Sequence, residues 1–237
     1  MQIDIIFKPI EDYVEMINQK KHFSFSRYWD GEIAAILGRS GTNCDGCRYT
    51  PELSDELEKT IGNNHEYYHA LNFPSDHTGT VNLRNGFVKY LKDTRSGVKW
   101  YDAQVWQRSF ERGAFADQVV KPLLTKEIIF IGGEHLESII DFLPLKKYIT
   151  ISRTDAFSER KDIVKCILSE VEFNKNLIVI FCAGMTSNGV IDEVYPVVGA
   201  HVTMLDMGSV WDAYLGLETR QWIRRVPIST RRKSRGQ

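Results

Sequence analysis

A run of six residues without a charged or strongly polar side chain, Leu177 to Cys182, constrains the fold more than any other stretch of this chain. Its length suits a strand, and its lack of polar alternation is typical of a strand buried on both faces of a parallel sheet. Strand-like segments also occur at 127–131, near 148–151 and at 201–205, and helical stretches separate them. This alternation predicts an α/β fold with a Rossmann-like, mostly parallel sheet and flanking helices.

The composition fits one domain of this kind. The chain has 237 residues, of which 43% are hydrophobic and 26% charged, which is enough for one substantial core. It has no apolar run of about eighteen residues, the length that spans a membrane. Its first residues also lack the cationic start and long apolar core of a secretory signal. We therefore expect a cytoplasmic protein without a membrane span.

The residues that follow the 177–182 strand provide a candidate phosphate site. Small and hydroxyl-bearing residues, 183–189, lead into a predicted helix at 190–198. A glycine-containing turn between a strand and a helix presents free backbone N–H groups, which suit a phosphate. An ordinary strand-to-helix connection explains the same residues, and neither a G-x-G-x-x-G nor a P-loop motif is present.

Two carboxylates flank a glycine at Asp30-Gly31-Glu32, with Arg27 just upstream and an apolar helical run just downstream. Oxygen ligands this close together suit a hard divalent cation, and we expect Gly31 to let the backbone turn sharply. A helix start explains the pattern equally, because Asp favours N-caps and Glu favours the positive end of the helix dipole. The segment alone leaves both interpretations open.

Two more carboxylates, Asp206 and Asp212, follow the strand at 201–205. In open α/β sheets, ligands bind at the carboxyl ends of the strands. The turn Gly132-Gly133-Glu134-His135 is another candidate loop of that edge, although a tight strand-to-helix turn explains it as well. We therefore place the candidate site at the carboxyl edge of the sheet.

Taken together, these segments resemble a bacterial family, the glycosyltransferases of the GT-D fold, once catalogued as a domain of unknown function. The family has an R-[FY]-x-D-G-E segment, a strand ending in Gly-Pro-Thr-Ala, and a late D-x-G-H-x-D segment. The corresponding segments here are Arg27-Tyr-Trp-Asp30-Gly31-Glu32, Ala183-Gly184-Met185-Thr186-Ser187 and Asp206-Met-Gly208-Ser209-Val-Trp-Asp212. Residues 149–157 resemble the family's strand and Pro-x-x-Asn-Ala-Phe turn, so the likeness covers about residues 20–215. Ser209 stands where the family usually has histidine, and Met185 replaces the proline.

This resemblance implies a GT-D-type hexosyl- or pentosyltransferase that uses a nucleotide-diphosphate sugar, usually a UDP-sugar, with Mn²⁺ or Mg²⁺ held by Asp30 and Glu32. It also implies the cytoplasm of a bacterium or of an infected host cell. The candidate catalytic residues are Asp30, Glu32, Asp206 and Asp212. The candidate donor-binding residues are Arg27, Gly31, Arg153, Asp155, Gly184, Thr186, Ser187 and Gly208. Which carboxylate acts as a base, and which binds the sugar, stays open.

The last eighteen residues, 220–237, contain seven basic and no acidic residues, whereas the whole chain has a formal net charge of -1. We therefore divide the chain into one catalytic domain, 1–219, and a basic C-terminal tail, 220–237. A basic arm on an acidic body is typical of contact with a polyanion. It favours DNA with a hydroxymethylated base as the acceptor, bound by Arg224, Arg225, Arg231, Arg232, Lys233 and Arg235. The alternatives are a solvated disordered terminus, a protein or surface-glycan acceptor, and a non-enzymatic nucleotide- or nucleic-acid-binding module.

Cys44 and Cys47 form a C-x-x-C pair, and His65 and His69 follow at helical spacing. On paper these four side chains make a Cys2His2 zinc set, although their separation exceeds the usual finger spacing. A redox pair and two ordinary reduced cysteines are the other interpretations. Among the remaining histidines, His22, His77 and His201 have no context that predicts a function.

Overall fold

The computed structural model describes residues 3–63, 65–73, 78–94, 96–171 and 176–237, with the backbone alone for residues 78 and 79. His77 lies outside the described residues. Within them, eight strands form one sheet: β1 (Ile5–Ile6), β2 (Ser24–Tyr28), β3 (Tyr68–Leu71), β4 (Trp100–Asp102), β5 (Glu127–Gly132), β6 (Leu145–Thr150), β7 (Leu177–Cys182) and β8 (Val202–Asp206). Their order is β1-β4-β3-β2-β8-β7-β5-β6, and every neighbouring pair is parallel. The predicted α/β fold with a mostly parallel sheet is confirmed.

The helices connect these strands and cover both faces of the sheet. They are α1 (Ile10–Asn18), α2 (Asp30–Ile36), α3 (Pro51–Gly62), α4 (Thr78–Asp93), α5 (Val105–Glu111), α6 (Lys121–Leu123), α7 (Arg160–Glu170), α8 (Thr186–Val198), α9 (Val210–Leu215), α10 (Gln221–Arg225) and α11 (Ile228–Ser234). A π-helical turn, Ala116–Val120, precedes α6, and a 3-10 helix, Glu134–Asp141, follows β5. No helix in the described part of the chain is long and apolar enough to cross a membrane.

Strand β7 shows why its sequence lacks polar alternation. Ile178 and Ile180 belong to the hydrophobic cluster on one face of the sheet, whereas Val179 and Phe181 belong to the cluster on the other. Since successive side chains of a strand point to opposite faces, an apolar residue is needed at every position. The strand is therefore buried on both faces, as predicted.

Helix α8 begins at Thr186 and not near 190, because its first residues pack closely against other parts of the chain. A Cβ at Gly189 would lie 3.0 Å from Cγ of Glu56 on α3. The Asn188 side chain donates hydrogen bonds to the Ser26 hydroxyl at 3.0 Å and to the Arg27 carbonyl at 2.7 Å. These small and polar residues, which predict a turn in isolation, join the helix to β2.

The sheet reverses its winding between β2 and β8. The N-terminal strands run outward from β2 on one side, whereas the C-terminal strands run outward from β8 on the other. Ser24 and Phe25 pair in parallel with Met204 and Leu205 across this junction. Ligands of open α/β folds bind beside such a reversal, at the carboxyl ends of the strands. The Asp30 and Asp206 segments both begin there.

Residues 220–237 form two short helices and are not a disordered terminus. Ile223 and Val226 are buried, and α11 packs against α5 and α9. The buried Ser234 hydroxyl donates a hydrogen bond to the carbonyl of Phe110 at 2.5 Å. The basic segment is therefore folded onto the domain.

Candidate functional site

A cleft of about 920 Å³ opens at the carboxyl edge of the sheet, around the ends of β2, β5, β7 and β8. The loop at 42–49 and the segment at 219–227 form its outer walls. Ten of the twelve candidate site residues line it: Arg27, Asp30, Gly31, Glu32, Arg153, Gly184, Thr186, Asp206, Gly208 and Asp212. Segments up to about 180 residues apart in sequence thus share one cavity, whose size is that of a small-molecule site.

The other two candidate residues, Asp155 and Ser187, do not line this cleft. Asp155 is exposed in the turn before α7, where its backbone N–H donates to the Ser152 hydroxyl at 3.1 Å. Ser187 is fully buried in the first turn of α8. Spacing alone does not show that these two side chains are directed elsewhere.

Arg27 and Asp206 form a buried ion pair on the two central strands. Arg27 Nη2 lies 3.1 Å from Asp206 Oδ1, and the Arg27 backbone N–H donates to Oδ2 at 3.3 Å. Burial raises the pKa of the Asp206 carboxyl, and the Arg27 guanidinium opposes part of that effect. Arg27 Nε has no hydrogen-bond partner among the described residues, so the guanidinium keeps a donor unused. The pair therefore fixes the positively charged Arg27 guanidinium at the floor of the cleft.

Gly208 makes room for this guanidinium. Its φ is +52°, a conformation that favours glycine, and a Cβ there would lie 2.7 Å from Cζ of Arg27 and closer still to Nη2. Both the backbone conformation and the available space therefore require glycine. The glycine of the late motif thus has a structural reason that involves the first motif directly.

The Asp30-Gly31-Glu32 segment forms the first turn of α2. Trp29 is the N-cap residue, and its backbone N–H donates to Glu32 Oε2 at 2.9 Å, so Glu32 partly caps the helix. The Asp30 side chain is exposed to the cleft and forms neither a hydrogen bond nor an ion pair within the described residues. Burial raises the pKa of Glu32 to about 7, even though backbone N–H groups and Arg27 act in the opposite direction.

Asp30 and Glu32 fit a divalent cation that is bound together with a nucleotide. Mg²⁺ usually takes one or two carboxylates from the protein, and phosphate oxygens and water supply the remaining ligands. The described residues include no cluster of three or more His, Cys, Asp or Glu side chains that is arranged to hold a metal by itself. A cation would also compensate the buried charge of Glu32, which Arg27 does not fully offset.

The expectation that Gly31 permits a sharp backbone turn is wrong. Gly31 lies within α2, and its φ is outside the left-handed region. A Cβ there would make ordinary contacts, 3.6 Å from Asn43 Cβ and 3.8 Å from Met185 Sδ. The turn residues are Gly184, with φ +54°, and Gly208. The protein itself does not need a glycine at position 31.

The turn around Gly184 offers fewer free donors than the sequence predicts. The backbone N–H groups of Thr186 and Ser187 donate to the carbonyls of Ala183 and Gly184 at 3.3 and 3.0 Å. Two of the N–H groups expected to bind phosphate are therefore already used. Within the described residues, the backbone N–H groups of Gly184 and Met185 and the Thr186 hydroxyl have no hydrogen-bond partner near this turn.

His135 and Asp212 form a second pair that the sequence does not predict. His135 Nε2 lies 3.2 Å from Asp212 Oδ1, and both residues line the cleft. Asp212 is 7% exposed and His135 34% in their side chains. The Gly132–His135 turn is a candidate edge loop from sequence, but only the fold brings it to a carboxylate 77 positions away.

Asp45 and Arg220 close the outer wall of the cleft. The Arg220 guanidinium donates to both carboxylate oxygens of Asp45 at 2.6 Å, which joins the loop at 42–49 to the start of the C-terminal segment. Arg220 is the first of the seven basic residues of that segment. This cation is therefore engaged within the protein.

The four residues of the suggested zinc set are not brought together. Both ring nitrogens of His69 lie 3.2 Å from backbone carbonyl oxygens, those of Tyr67 and Thr60, inside the core. The nearest carboxylate to His65 is Asp192, 3.7 Å away. Cys44 and Cys47 are free thiols beside the cleft, and burial raises the pKa of each. Raised thiol pKa values also oppose a reactive redox pair.

Two solved structures share this fold. The first is a new glycosyltransferase (DUF1792) from Streptococcus sanguinis, which aligns with a TM-score of 0.64 and 17% identity over 90% of this chain and 86% of its own. The second is a selenomethionine-substituted domain of unknown function 1792, with a TM-score of 0.62 and 14% identity over 90% of this chain and 83% of its own. No family model matches the sequence, and no curated protein matches it. The GT-D-type fold predicted from the motifs is confirmed.

Proposed function

We propose that this protein is a metal-dependent glycosyltransferase that moves a hexosyl or pentosyl group from a nucleotide-diphosphate sugar, a UDP-sugar in particular, to a hydroxyl acceptor. One observation carries the proposal: the four candidate carboxylates, Asp30, Glu32, Asp206 and Asp212, and the partly buried Arg27 line one cleft at the carboxyl edge of the sheet, where its winding reverses. The likeness to a solved glycosyltransferase structure supports the same class of activity.

Arg27 is the group proposed to bind the diphosphate. Its planar guanidinium suits phosphate oxygens, and Asp206 and Gly208 hold it at the floor of the cleft. The Gly184 turn and Thr186, at the start of α8, lie on the same cleft and are placed to contact a phosphate or the ribose. A divalent cation held by Asp30 and Glu32 would stabilise the charge that develops on the departing diphosphate.

The carboxylates divide into different roles. Asp206 binds Arg27 through an ion pair and a backbone hydrogen bond, so its proposed role is to position the Arg27 guanidinium. Asp30 and Glu32 are the proposed ligands of the divalent metal ion. Asp212, the remaining candidate carboxylate, pairs with the imidazole of His135.

Donor binding gives the first test of this proposal. We expect a UDP-sugar with Mn²⁺ to raise the melting temperature of the wild-type protein, because a ligand that binds only the folded state stabilises it. At 100 times Kd the gain is about 2.7 kcal/mol, or roughly 5–10 °C for a domain of this size. The measurement is a thermal-shift screen of UDP-, GDP- and dTDP-sugars with and without Mn²⁺ or Mg²⁺. If no nucleotide sugar shifts the transition with either metal, the proposal is wrong.

We propose DNA with a hydroxymethylated base as the acceptor, on the strength of the folded basic segment. Arg225 lines the cleft, and Arg225, Arg232 and Lys233 are exposed. These three form no ion pair within the described residues. The others are engaged: Arg224 and Arg231 pair with Glu218, and Arg235 donates to the Ala213 carbonyl. Free cations thus extend from the cleft mouth along α11, as a phosphate backbone would require.

Removing two of these charges should weaken DNA binding. We expect the double variant Arg225→Gln/Arg232→Gln to bind DNA more weakly, with a salt dependence of log K that is flatter by about 0.9 for each phosphate that the protein no longer neutralises. Substitution is preferable to truncation because Val226 and Ser234 are buried. The measurement is fluorescence anisotropy of labelled duplex DNA over a range of salt concentrations.

The matched control removes the same charge from another helix. Lys161 and Lys165 are exposed cations on α7, outside the basic segment, and Lys161→Gln/Lys165→Gln should leave DNA binding unchanged. Equal weakening in both double variants would mean that only overall charge matters. Wild-type binding by the arginine variant would favour a protein or glycan acceptor.

A further inference from the structure

His135 and Asp212 lie in helices that follow two different strands, and they meet at the carboxyl edge of the sheet. His135 lies in the first turn of the 3-10 helix after β5, and Asp212 lies in α9 after β8. Their side chains meet at 3.2 Å, Nε2 to Oδ1. Asp212 is nearly buried, whereas a third of the imidazole is exposed in the cleft. A buried carboxylate thus holds one ring nitrogen of an accessible histidine.

The surroundings of His135 fix its position. The Tyr148 hydroxyl donates to the Gly133 carbonyl at 2.7 Å, and Leu136 is buried in the core. A Cβ at Gly133 would lie 2.8 Å from His135 Nδ1, so the absence of a side chain there makes room for the ring. The imidazole is therefore held by the fold from two sides before any ligand arrives.

We propose that His135, oriented by Asp212, removes the proton from the acceptor hydroxyl during sugar transfer. This inference rests on the proposed function. With Nε2–H donating to Asp212, Nδ1 carries the lone pair, and Nδ1 forms no hydrogen bond within the described residues. The hydroxyl proton passes to Nδ1 while the hydroxyl oxygen bonds to the anomeric carbon of the donor sugar. The bond from that carbon to the diphosphate oxygen breaks, and its electron pair leaves with the nucleoside diphosphate.

The other carboxylates of the cleft have other proposed roles or partners, and Asp30 and Glu32 are the proposed ligands of the divalent cation. Asp206 is paired with Arg27, and Glu111 accepts a hydrogen bond from Gln107 at 2.7 Å. Ser209, which stands where the GT-D family usually has histidine, lies 3.3 Å from Nε1 of Trp222 and accepts its hydrogen bond. His135 therefore supplies an imidazole from the helix that follows a different strand, β5.

His135→Ala should lower the turnover number by about 10²- to 10⁴-fold, the usual contribution of general acid–base catalysis, and leave donor affinity unchanged. The probe is the UDP-sugar that binds best with Mn²⁺, with water as acceptor, and the readout is nucleoside diphosphate release. Added imidazole should restore part of the turnover of His135→Ala, because it can occupy the space left by the ring. His135→Gln, which keeps a side chain there, should be equally slow and should not respond to imidazole.

The control is His201→Ala, since His201 precedes β8 at the opposite edge of the sheet, and it should turn over at the wild-type rate. Wild-type turnover in both His135 variants would overturn the inference and leave the proposed function standing. A loss of donor binding in the His135 variants, without rescue by imidazole, would also overturn it, because it would show a structural role. Absence of release by the wild-type protein with every donor would instead overturn the proposed function, and the inference with it.

Discussion

Glu32→Gln should keep the fold and lower nucleotide-releasing turnover by at least about 100-fold. The substitution removes the charge that would hold the divalent cation, while the amide oxygen can still accept the hydrogen bond from the Trp29 N–H. Removing one preorganised electrostatic group from a transition-state site commonly costs about 10²- to 10³-fold in turnover. The measurement is nucleoside diphosphate release with saturating donor and Mn²⁺, with circular dichroism to check the fold.

The same substitution should change the pH dependence of stability. Burial raises the pKa of Glu32 from its ordinary value of 4.5 to about 7. The stability that this group contributes is therefore complete below pH 4.5 and is lost as pH rises through 7, because the folded state must then ionise a buried carboxyl. Without metal, the melting temperature of Glu32→Gln relative to wild type should be higher at pH 8.5 than at pH 5.

Two comparisons isolate the role of Glu32. Glu52 occupies the first turn of α3, outside the cleft, so Glu52→Gln should retain full turnover. Asp30→Asn should lose turnover as Glu32→Gln does, because both carboxylates are proposed to hold the same cation. Full turnover in Glu32→Gln would reduce the carboxylate to its part in capping α2.

Gly208→Ala should be both unstable and nearly inactive. The new Cβ would collide with the Arg27 guanidinium, and the backbone conformation, φ +52°, is unfavourable for alanine by about 1–2 kcal/mol. Displacing Arg27 leaves Asp206 buried without its partner, and breaking a buried pair in this way costs about 3–5 kcal/mol. Urea unfolding measures the stability loss, and nucleotide release measures the loss of the proposed diphosphate-binding group.

Gly216→Ala provides the matched control. Gly216 also has a positive φ, +88°, and a Cβ there would approach an arginine, Arg235, but it lies outside the cleft. It should lose stability and keep its turnover. The double variant Gly208→Ala/Arg27→Met should turn over no more slowly than the slower of its two single variants, because both changes remove the same cation. Additive losses in turnover would show that the clash with Arg27 is not the cause.

The C-terminal half of the fold can be predicted from sequence because its physics is local. Strand β7 is apolar at every position since both of its faces are covered, and this pattern is rare outside parallel sheets. Glycine and polar residues mark where such strands end. The carboxylates of the candidate site follow directly, because the ends of parallel strands lie at one edge.

The N-terminal strands could not be predicted in the same way. Strand β2 buries Ser24 and Ser26, and the Ser26 hydroxyl accepts a hydrogen bond from Asn188, which is 162 positions away. Its polarity makes sense only beside α8. The C-terminal helices could not be predicted for a related reason. Basic residues dominate the composition of this segment, whereas two buried apolar residues, Ile223 and Val226, attach it to the core.

The spacing of residues in the sequence does not show which side chains of the site pair with each other or which way they point. The His135–Asp212 and Asp45–Arg220 pairs join residues 77 and 175 positions apart. Sequence also does not show which glycine of a motif adopts a positive φ. It suggested Gly31, whereas the fold requires Gly208.

The proposed function requires that a nucleotide-diphosphate sugar is cleaved at the carboxyl edge of the sheet. The most direct measurement is release of nucleoside diphosphate from the donor panel by wild-type protein and Glu32→Gln, each with and without Mn²⁺. We expect Mn²⁺-dependent release by the wild type that falls at least about 100-fold in the variant. Release that is equal in the two proteins, or no release from any donor, would contradict it.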